Sequence, residues 1–251
     1  MMQKIAQVVQ AARKIVIFTG AGISTESGIA DFRGPDGLWQ KYNPDDFYIS
    51  RFLASHENRA RYWGLMKEFY PTLAHAQPNP AHYAITQLEQ KRKLLAVITQ
   101  NVDNLHQKSG TSPHLVIELH GTLHTAVCLG CRKTYLMDDI WQQLMSGVIQ
   151  VPECIECGGM VKTSGVSFGE ALPQEALNRA ITYSQQCDLF IVIGSSLVVY
   201  PAAEMPVIAK KHGATLIIIN AEETPIDHLA DFISRGKAGE VLPQIIHVTQ
   251  S

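Results

Sequence analysis

The sequence predicts a doubly wound α/β fold, and three observations carry that prediction. Short continuous runs of β-branched and aliphatic residues recur at 15–19, 94–99, 115–119, 189–193 and 216–219. They do not alternate with polar residues, which is the pattern of parallel strands buried on both faces. Between them, 80–91, 173–186 and 201–212 carry helical spacing with Pro or Gly at their ends, as the helices of a parallel sheet do. Finally, 251 residues at 46% hydrophobic and 18% charged content suffice to bury a full core.

The elements follow in order. Residues 1–14, MMQKIAQVVQAARK, place Ile5, Val8, Val9 and Ala12 at helical spacing and lack the unbroken apolar core of a signal peptide. No run approaches the roughly 18 apolar residues of a membrane span, so a soluble, cytoplasmic protein is expected. A net charge of -2 gives no general attraction to nucleic acid or an anionic membrane, and neither is expected as a partner. The first strand ends in Gly20-Ala21-Gly22-Ile23-Ser24. A dinucleotide fingerprint would bring its third glycine at once, but here it is delayed to Gly28, and a turn needing positive φ explains the pair about as well. Ser24, Thr25 and Ser27 are read as hydroxyl donors near a helix N-terminus, where a pyrophosphate is stabilised by backbone N–H groups. Asp31-Phe32-Arg33-Gly34 then offers a bidentate phosphate binder in Arg33 and an aromatic wall in Phe32.

More than 60 residues separate the first strand from the next, so the aromatic-rich stretch from 36 to 75 is read as an insertion, irregular or helical. Beyond the strand at 94–99 lies Thr99-Gln100-Asn101-Val102-Asp103-Asn104-Leu105-His106, at the carboxyl end where open α/β sheets bind ligands. Its amides and carboxylate suit a ribose and a carboxamide, although an Asx-rich helix cap would look the same. Glu118-Leu119-His120-Gly121 ends the next strand, and an imidazole titrating near pH 6.5 is a natural general base. A second insertion, 122–166, holds Cys128-x-x-Cys131 and Cys154-x-x-Cys157. Paired CxxC motifs in a chain expected in the cytoplasm favour a closed tetrahedral zinc over disulfides, and such a site is structural. His124, one helical turn after His120, leaves a metal pair as a rival reading for that histidine. Gly194-Ser195-Ser196 resembles a second phosphate loop, and Asn220 with Glu222 suits a ribose; each alone is equally ordinary turn chemistry. Cys187 reads as a small buried hydrophobe.

Taken together, Gly20 to Ser24 running on to Ala30-Asp31-Phe32-Arg33-Gly34, Thr99-Gln100-Asn101-Val102-Asp103, His120-Gly121, the two CxxC pairs, Phe168-Gly169-Glu170 and Gly194-Ser195-Ser196-Leu197 resemble the sirtuins, NAD-dependent protein-lysine deacylases, in their zinc-containing bacterial and archaeal form. The resemblance implies a large Rossmann-like domain from 1–35, 76–121 and 167–251. It implies a small domain from a helical module at 36–75 and a zinc-ribbon module at 122–166. NAD is then a cosubstrate, one structural zinc sits on Cys128, Cys131, Cys154 and Cys157, and the chain works on acetyl-lysine proteins or peptides as a monomer. By the same resemblance Ala21 and Ile23 line the cofactor pocket, Arg33 meets phosphate, and Phe32 shields the reacting ribose from water. Asp103 binds the nicotinamide carboxamide, and Gln100 and Asn101 bind the ribose and its ordered water. Gly20, Gly22, Ser24, Asp31, Gly194, Ser195, Ser196, Asn220, Glu222 and Ala238 complete the implied NAD contacts.

The implied mechanism has His120, Asn101 and Asp103 as its catalytic set. The acyl oxygen attacks the anomeric carbon as nicotinamide leaves, giving an alkylimidate. His120 then takes the proton of a ribose hydroxyl, and water completes release of lysine and O-acyl-ADP-ribose. Phe32, Val166 and Phe168 are implied along the acyl tunnel, with Gly169 and Val198 also on the substrate. The peptide is expected to add as a strand between 165–168 and the loop after Ser196. One departure falls there: where many relatives read Arg-Pro-x-Val-Val, this chain has Lys162-Thr163-Ser164-Gly165-Val166, and Gly165 weakens strand propensity. Relatives that take succinyl groups carry a Tyr and, three residues on, an Arg. Here Tyr62 is followed by Leu65, so apolar acyl groups are expected, with Arg59 and Arg61 the cations to watch. A mono-ADP-ribosyltransferase and a non-catalytic NAD or ADP-ribose sensor are the alternatives.

Overall fold

The structure is a computed structural model that describes residues 1–34 and 37–247. The expected domain boundary between 35 and 36, and residues 248–251, lie outside the described residues. In chain order the elements are α1 (Met2–Ala11), β1 (Ile15–Thr19), α2 (Ile49–Ala54), α3 (His56–His75), α4 (Pro80–Gln90), β2 (Leu94–Thr99), α5 (Leu105–Lys108), β3 (Val116–Glu118), β4 (Thr125–Cys128), β5 (Thr134–Leu136), α6 (Met137–Met145), β6 (Val161–Thr163), α7 (Gln174–Gln186), β7 (Leu189–Ile193), α8 (Met205–Lys211), β8 (Thr215–Ile219), β9 (Phe232–Ser234) and α9 (Ala238–His247).

Six strands form one parallel sheet in the order β3-β2-β1-β7-β8-β9. The chain winds outward from β1 in one direction and, beginning at β7, in the other, which is the doubly wound order with its switch point between β1 and β7. The apolar runs are continuous because both faces of each strand are covered. Ile15 and Ile17 of β1, Leu189 and Ile191 of β7, and Ile217 and Ile219 of β8 pack with α1, α4 and α9. The residues between them, Val16, Phe18, Phe190, Val192, Leu216 and Ile218, pack with α7 and α8. Each such side chain, fully buried, contributes about 1.5–3 kcal/mol.

The two insertions meet each other. β5-β4-β6 is a separate antiparallel sheet, and its Ala126, Cys128 and Val161 share one core with Phe52 of α2 and Trp63, Met66, Tyr70 and Leu73 of α3. The Trp63 indole N–H donates to Val161 O at 3.2 Å and the Tyr62 hydroxyl bonds Thr163 Oγ1 at 2.5 Å. The stretch 36–75, read as irregular or helical, is thus mostly helix where described, with α3 starting on an N-cap at Ser55 whose hydroxyl accepts Asn58 N–H at 3.1 Å.

Candidate active site

A cavity of about 460 Å³ opens at the switch point and runs between the large sheet and the two insertions. Its floor is made where β1 and β7 end. A Cβ on Gly22 would lie 2.8 Å from Gly194 Cα, and one on Gly194, which has φ +60°, would lie 2.3 Å from Ile23 N. The glycines therefore let the two loops touch, and Gly22 N donates to Gly194 O at 2.8 Å. No α-helix follows Gly22. The chain instead takes two single 3₁₀ turns, Ala21–Ile23 and Thr25–Ser27, so the helix N-terminus expected there is absent. The hydroxyls serve the loop itself: Thr25 Oγ1 donates to Gly22 O at 3.1 Å, Ser27 Oγ accepts from Asn79 Nδ2 at 3.0 Å, and Ser24 Oγ donates to Asp103 Oδ2 at 2.7 Å. Asp31 likewise accepts Gly34 N–H at 2.7 Å and shapes the turn that presents Phe32 and Arg33.

Gln100, Asn101 and Asp103 leave the end of β2 and converge on this floor. Gln100 Nε2 donates to Ser195 Oγ at 2.9 Å, joining the β2 and β7 ends. Asn101, buried, donates from Nδ2 to Gly20 O at 3.2 Å and Ser24 Oγ at 3.1 Å, and buried Asp103 accepts Leu105 N–H at 3.0 Å. Each side chain is held by groups of the protein itself.

His120 lines the same cavity. Its Nδ1 lies 3.0 Å from Gln100 O. A carbonyl only accepts, so the proton is on Nδ1 and Nε2 carries the free lone pair. Burial lowers its pKa from the ordinary 6.5, against the opposing effect of the Gln100 bond, so a neutral base is the form present at neutral pH. His124 points its Nε2–H at Asp103 O, 3.0 Å away, and among the described residues it joins no group of three or more metal-ligating side chains with His120. Gly121 fixes the next turn: at φ +67° its Cβ would sit 2.2 Å from Ser164 O.

Gly20, Ala21, Ser195, Ser196, Asn220, Glu222 and Ala238 line the cavity, as do Gly165, Val166, Phe168 and Gly169. Two of the implied NAD and substrate contacts do not. Ile23 is fully buried beneath the loop in the sheet core, and Val198 is exposed beside the lining residues Val199 and Tyr200. The expected pairing strand is also mostly engaged. Val166 N bonds His120 O at 2.8 Å, and Phe168 N and O bond Phe47 O and Ile49 N at 3.1 and 3.0 Å. Tyr62, Leu65, Met66, Phe69 and Leu73, one helical stripe on α3, form an apolar end to the cavity with Leu123; apart from Tyr62 and Leu65, sequence reading did not single them out, although their spacing on a helix was visible. Arg61 is spent on buried Asp46 at 3.0 Å, and Arg59 Nη1 reaches Phe52 O at 3.4 Å, so neither lines the cavity.

The sulfurs of Cys128, Cys131, Cys154 and Cys157 all lie within 4.8 Å of one another, with two pairs at 3.5 and 3.4 Å. Four thiolates around zinc at about 2.3 Å would stand about 3.8 Å apart, so the donor set fits that ion. Cys187 is buried, its thiol pushed up to about 12 by that burial.

The Sir2 family model matches residues 20–201, the span that carries this floor and the cysteines. The chain belongs to the Sir2 family. Among Sir2-family relatives, "NAD-dependent protein deacylase 2" of Archaeoglobus fulgidus is 47% identical over 98% of this chain and 94% of its own length. "NAD-dependent protein deacetylase 1" of Pyrobaculum aerophilum is 45% identical over 98% and 93%. A solved Sir2–p53 peptide–NAD+ complex is similar at TM-score 0.90 and 40% identity, covering 99% of this chain and 98% of that one.

Proposed function

We propose that this Sir2-family chain is an NAD-dependent protein-lysine deacetylase, releasing lysine, nicotinamide and O-acetyl-ADP-ribose. The single observation that carries the reading is His120: a neutral imidazole with Nδ1–H fixed on Gln100 O and Nε2 free, in a cavity with Asn101 and Asp103. NAD, the cosubstrate, supplies the ADP-ribosyl carbon as electrophile and nicotinamide as leaving group. In this reading Asp103 and Asn101 orient the nicotinamide and its ribose, with Gln100 on the ribose, and Arg33 binds the phosphates. Phe32, which stacks against Trp39 with centroids 5.2 Å apart, excludes water from the reacting ribose. His120 Nε2 takes the proton of a ribose hydroxyl. Glu222, Asn220 and Ala238 serve the adenosine end. Gly165, Val166, Phe168 and Gly169 border the acyl-lysine, and the peptide itself runs past Val198. Zinc on Cys128, Cys131, Cys154 and Cys157 would tie the end of β4 and its following turn to the loop before β6 and would take no step. The two-domain division, 1–35, 76–121 and 167–251 against 36–75 and 122–166, is kept as part of the proposal, as is a monomer acting in the cytoplasm without nucleic acid; among the described residues no helix is long and apolar enough to cross a membrane.

The acyl pocket belongs to the same reading. With Leu65 three residues after Tyr62 and Arg61 held by Asp46, no cation among the described residues lines the apolar α3 end of the cavity to meet an acyl carboxylate. Mass spectrometry of acetyl- and succinyl-lysine peptides incubated with NAD tests all of this. The expected outcome is equimolar nicotinamide, O-acetyl-ADP-ribose and free lysine, lost in His120→Ala by about 10²- to 10⁴-fold. Acetyl should exceed succinyl by about a hundredfold, since the carboxylate would be buried unpaired. Nicotinamide released without peptide, with ADP-ribose on protein, would establish the transferase instead.

A further inference from the structure

We propose that Lys162, through its ion pair with Glu170, is a positioning residue that holds the wall against which the acyl-lysine lies; the substrate, though not the clamp, rests on the deacetylase reading. Lys162 sits in β6, in register with Val127 of β4, and is only 2% exposed, which is rare for a lysine unless it is paired. Its ammonium donates to Gly165 O at 2.5 Å and Ser167 Oγ at 3.2 Å, and meets Glu170 Oε2 at 3.0 Å. Three donors are thereby used on three acceptors. The same Glu170 oxygen accepts Ser167 N–H at 2.6 Å. Residues 165–170 are thus wrapped around one buried charge.

That wrapping accounts for a segment with no ladder of its own. Between the end of β6 and the bridge from Phe168 to Tyr48, the wall has Gly165 in place of a strand former, and outside this clamp its backbone is tied by Ser164 N to Thr125 O, by Val166 N to His120 O and by Phe168 to Phe47 and Ile49. Desolvation holds the Lys162 ammonium below the ordinary lysine value, and Glu170 opposes that, so the charge depends on its partner. A buried pair of this kind gives no more stability than apolar residues of the same volume. What it adds here is a fixed direction for Val166 and Phe168, both of which line the cavity.

The test compares the zinc-loaded wild type with K162M, K162R and E170Q, measuring steady-state constants for acetylated peptide and NAD alongside hydrogen exchange across 164–171. K162M and E170Q should raise the peptide KM by about tenfold or more, since small misplacements of a reacting group are costly, with the NAD KM within about twofold and exchange across 164–171 faster. K162R, which keeps the cation and its donors, should recover most of both. If K162M loses global folding, E170Q, which keeps size and removes charge, decides. Unchanged exchange and peptide KM in both variants overturn the clamp. So does a parallel rise of the peptide and NAD constants, which marks general destabilisation. If the wild type turns over no acetylated peptide, the deacetylase reading fails, and the exchange data still decide the clamp.

Discussion

His120 owes its behaviour to one neighbour and one environment. The bond from Nδ1–H to Gln100 O selects the tautomer, and burial lowers the pKa below 6.5. A base is lost when it is protonated. Because the folded value lies below that of free imidazole, the competent form persists to lower pH than an exposed histidine would allow. The acid limb of kcat/KM should accordingly inflect below pH 6.5, read from a pH profile with saturating NAD; an inflection above 6.5 assigned to His120 would contradict the buried neutral imidazole. Residues of this kind were legible in sequence because they follow apolar strands: Gln100, Asn101, Asp103 and His120 all sit just past strand ends. Ile23 was not, since a single 3₁₀ turn sends its side chain into the core, while the loop above it forms the cavity.

At the level of elements, the strands of the small sheet are only three or four residues long, too short to stand alone. The four thiols supply the missing constraint, and α3 leans on the result through Trp63 and Tyr62. Stripping zinc with a chelator should speed exchange across 125–163 and abolish peptide turnover, because the apolar end of the cavity rides on α3, while β1, β7 and β8 keep their protection. Equal loss in both sheets would show that zinc supports the whole fold instead. The long buried strands were legible from their continuous apolar runs. The small-sheet strands and β9, whose three residues are each half-buried, carry too few residues for a period to show. The helix foreseen after Gly22 failed for a different reason: Gly28 in the left-handed region at φ +83° caps the second turn and ends the run.

For the molecule as a whole, acid stability rests partly on a buried histidine pair. His82 and His106 stack with ring centroids 5.1 Å apart, and burial lowers their pKa values to about 3 and about 4. An unfolded chain would bind protons near pH 6.5, so the contribution is fully present above that value and lost as pH falls from 6.5 towards 4. For His106 alone the difference corresponds to about 3 kcal/mol, at about 1.4 kcal/mol per pH unit. The thermal midpoint should therefore drop across that window, and less steeply in His106→Gln; parallel curves would remove His106 from the explanation.

The bond from Val166 N to His120 O has a mechanical consequence. Both residues lie on crossings between the two sheets, one on the way out at 119–125 and one on the way back at 163–168. Base and wall are thereby latched into a single moving part. A rocking of the small sheet carries α3 with it, since the two share one core, and the latch holds base and wall together throughout.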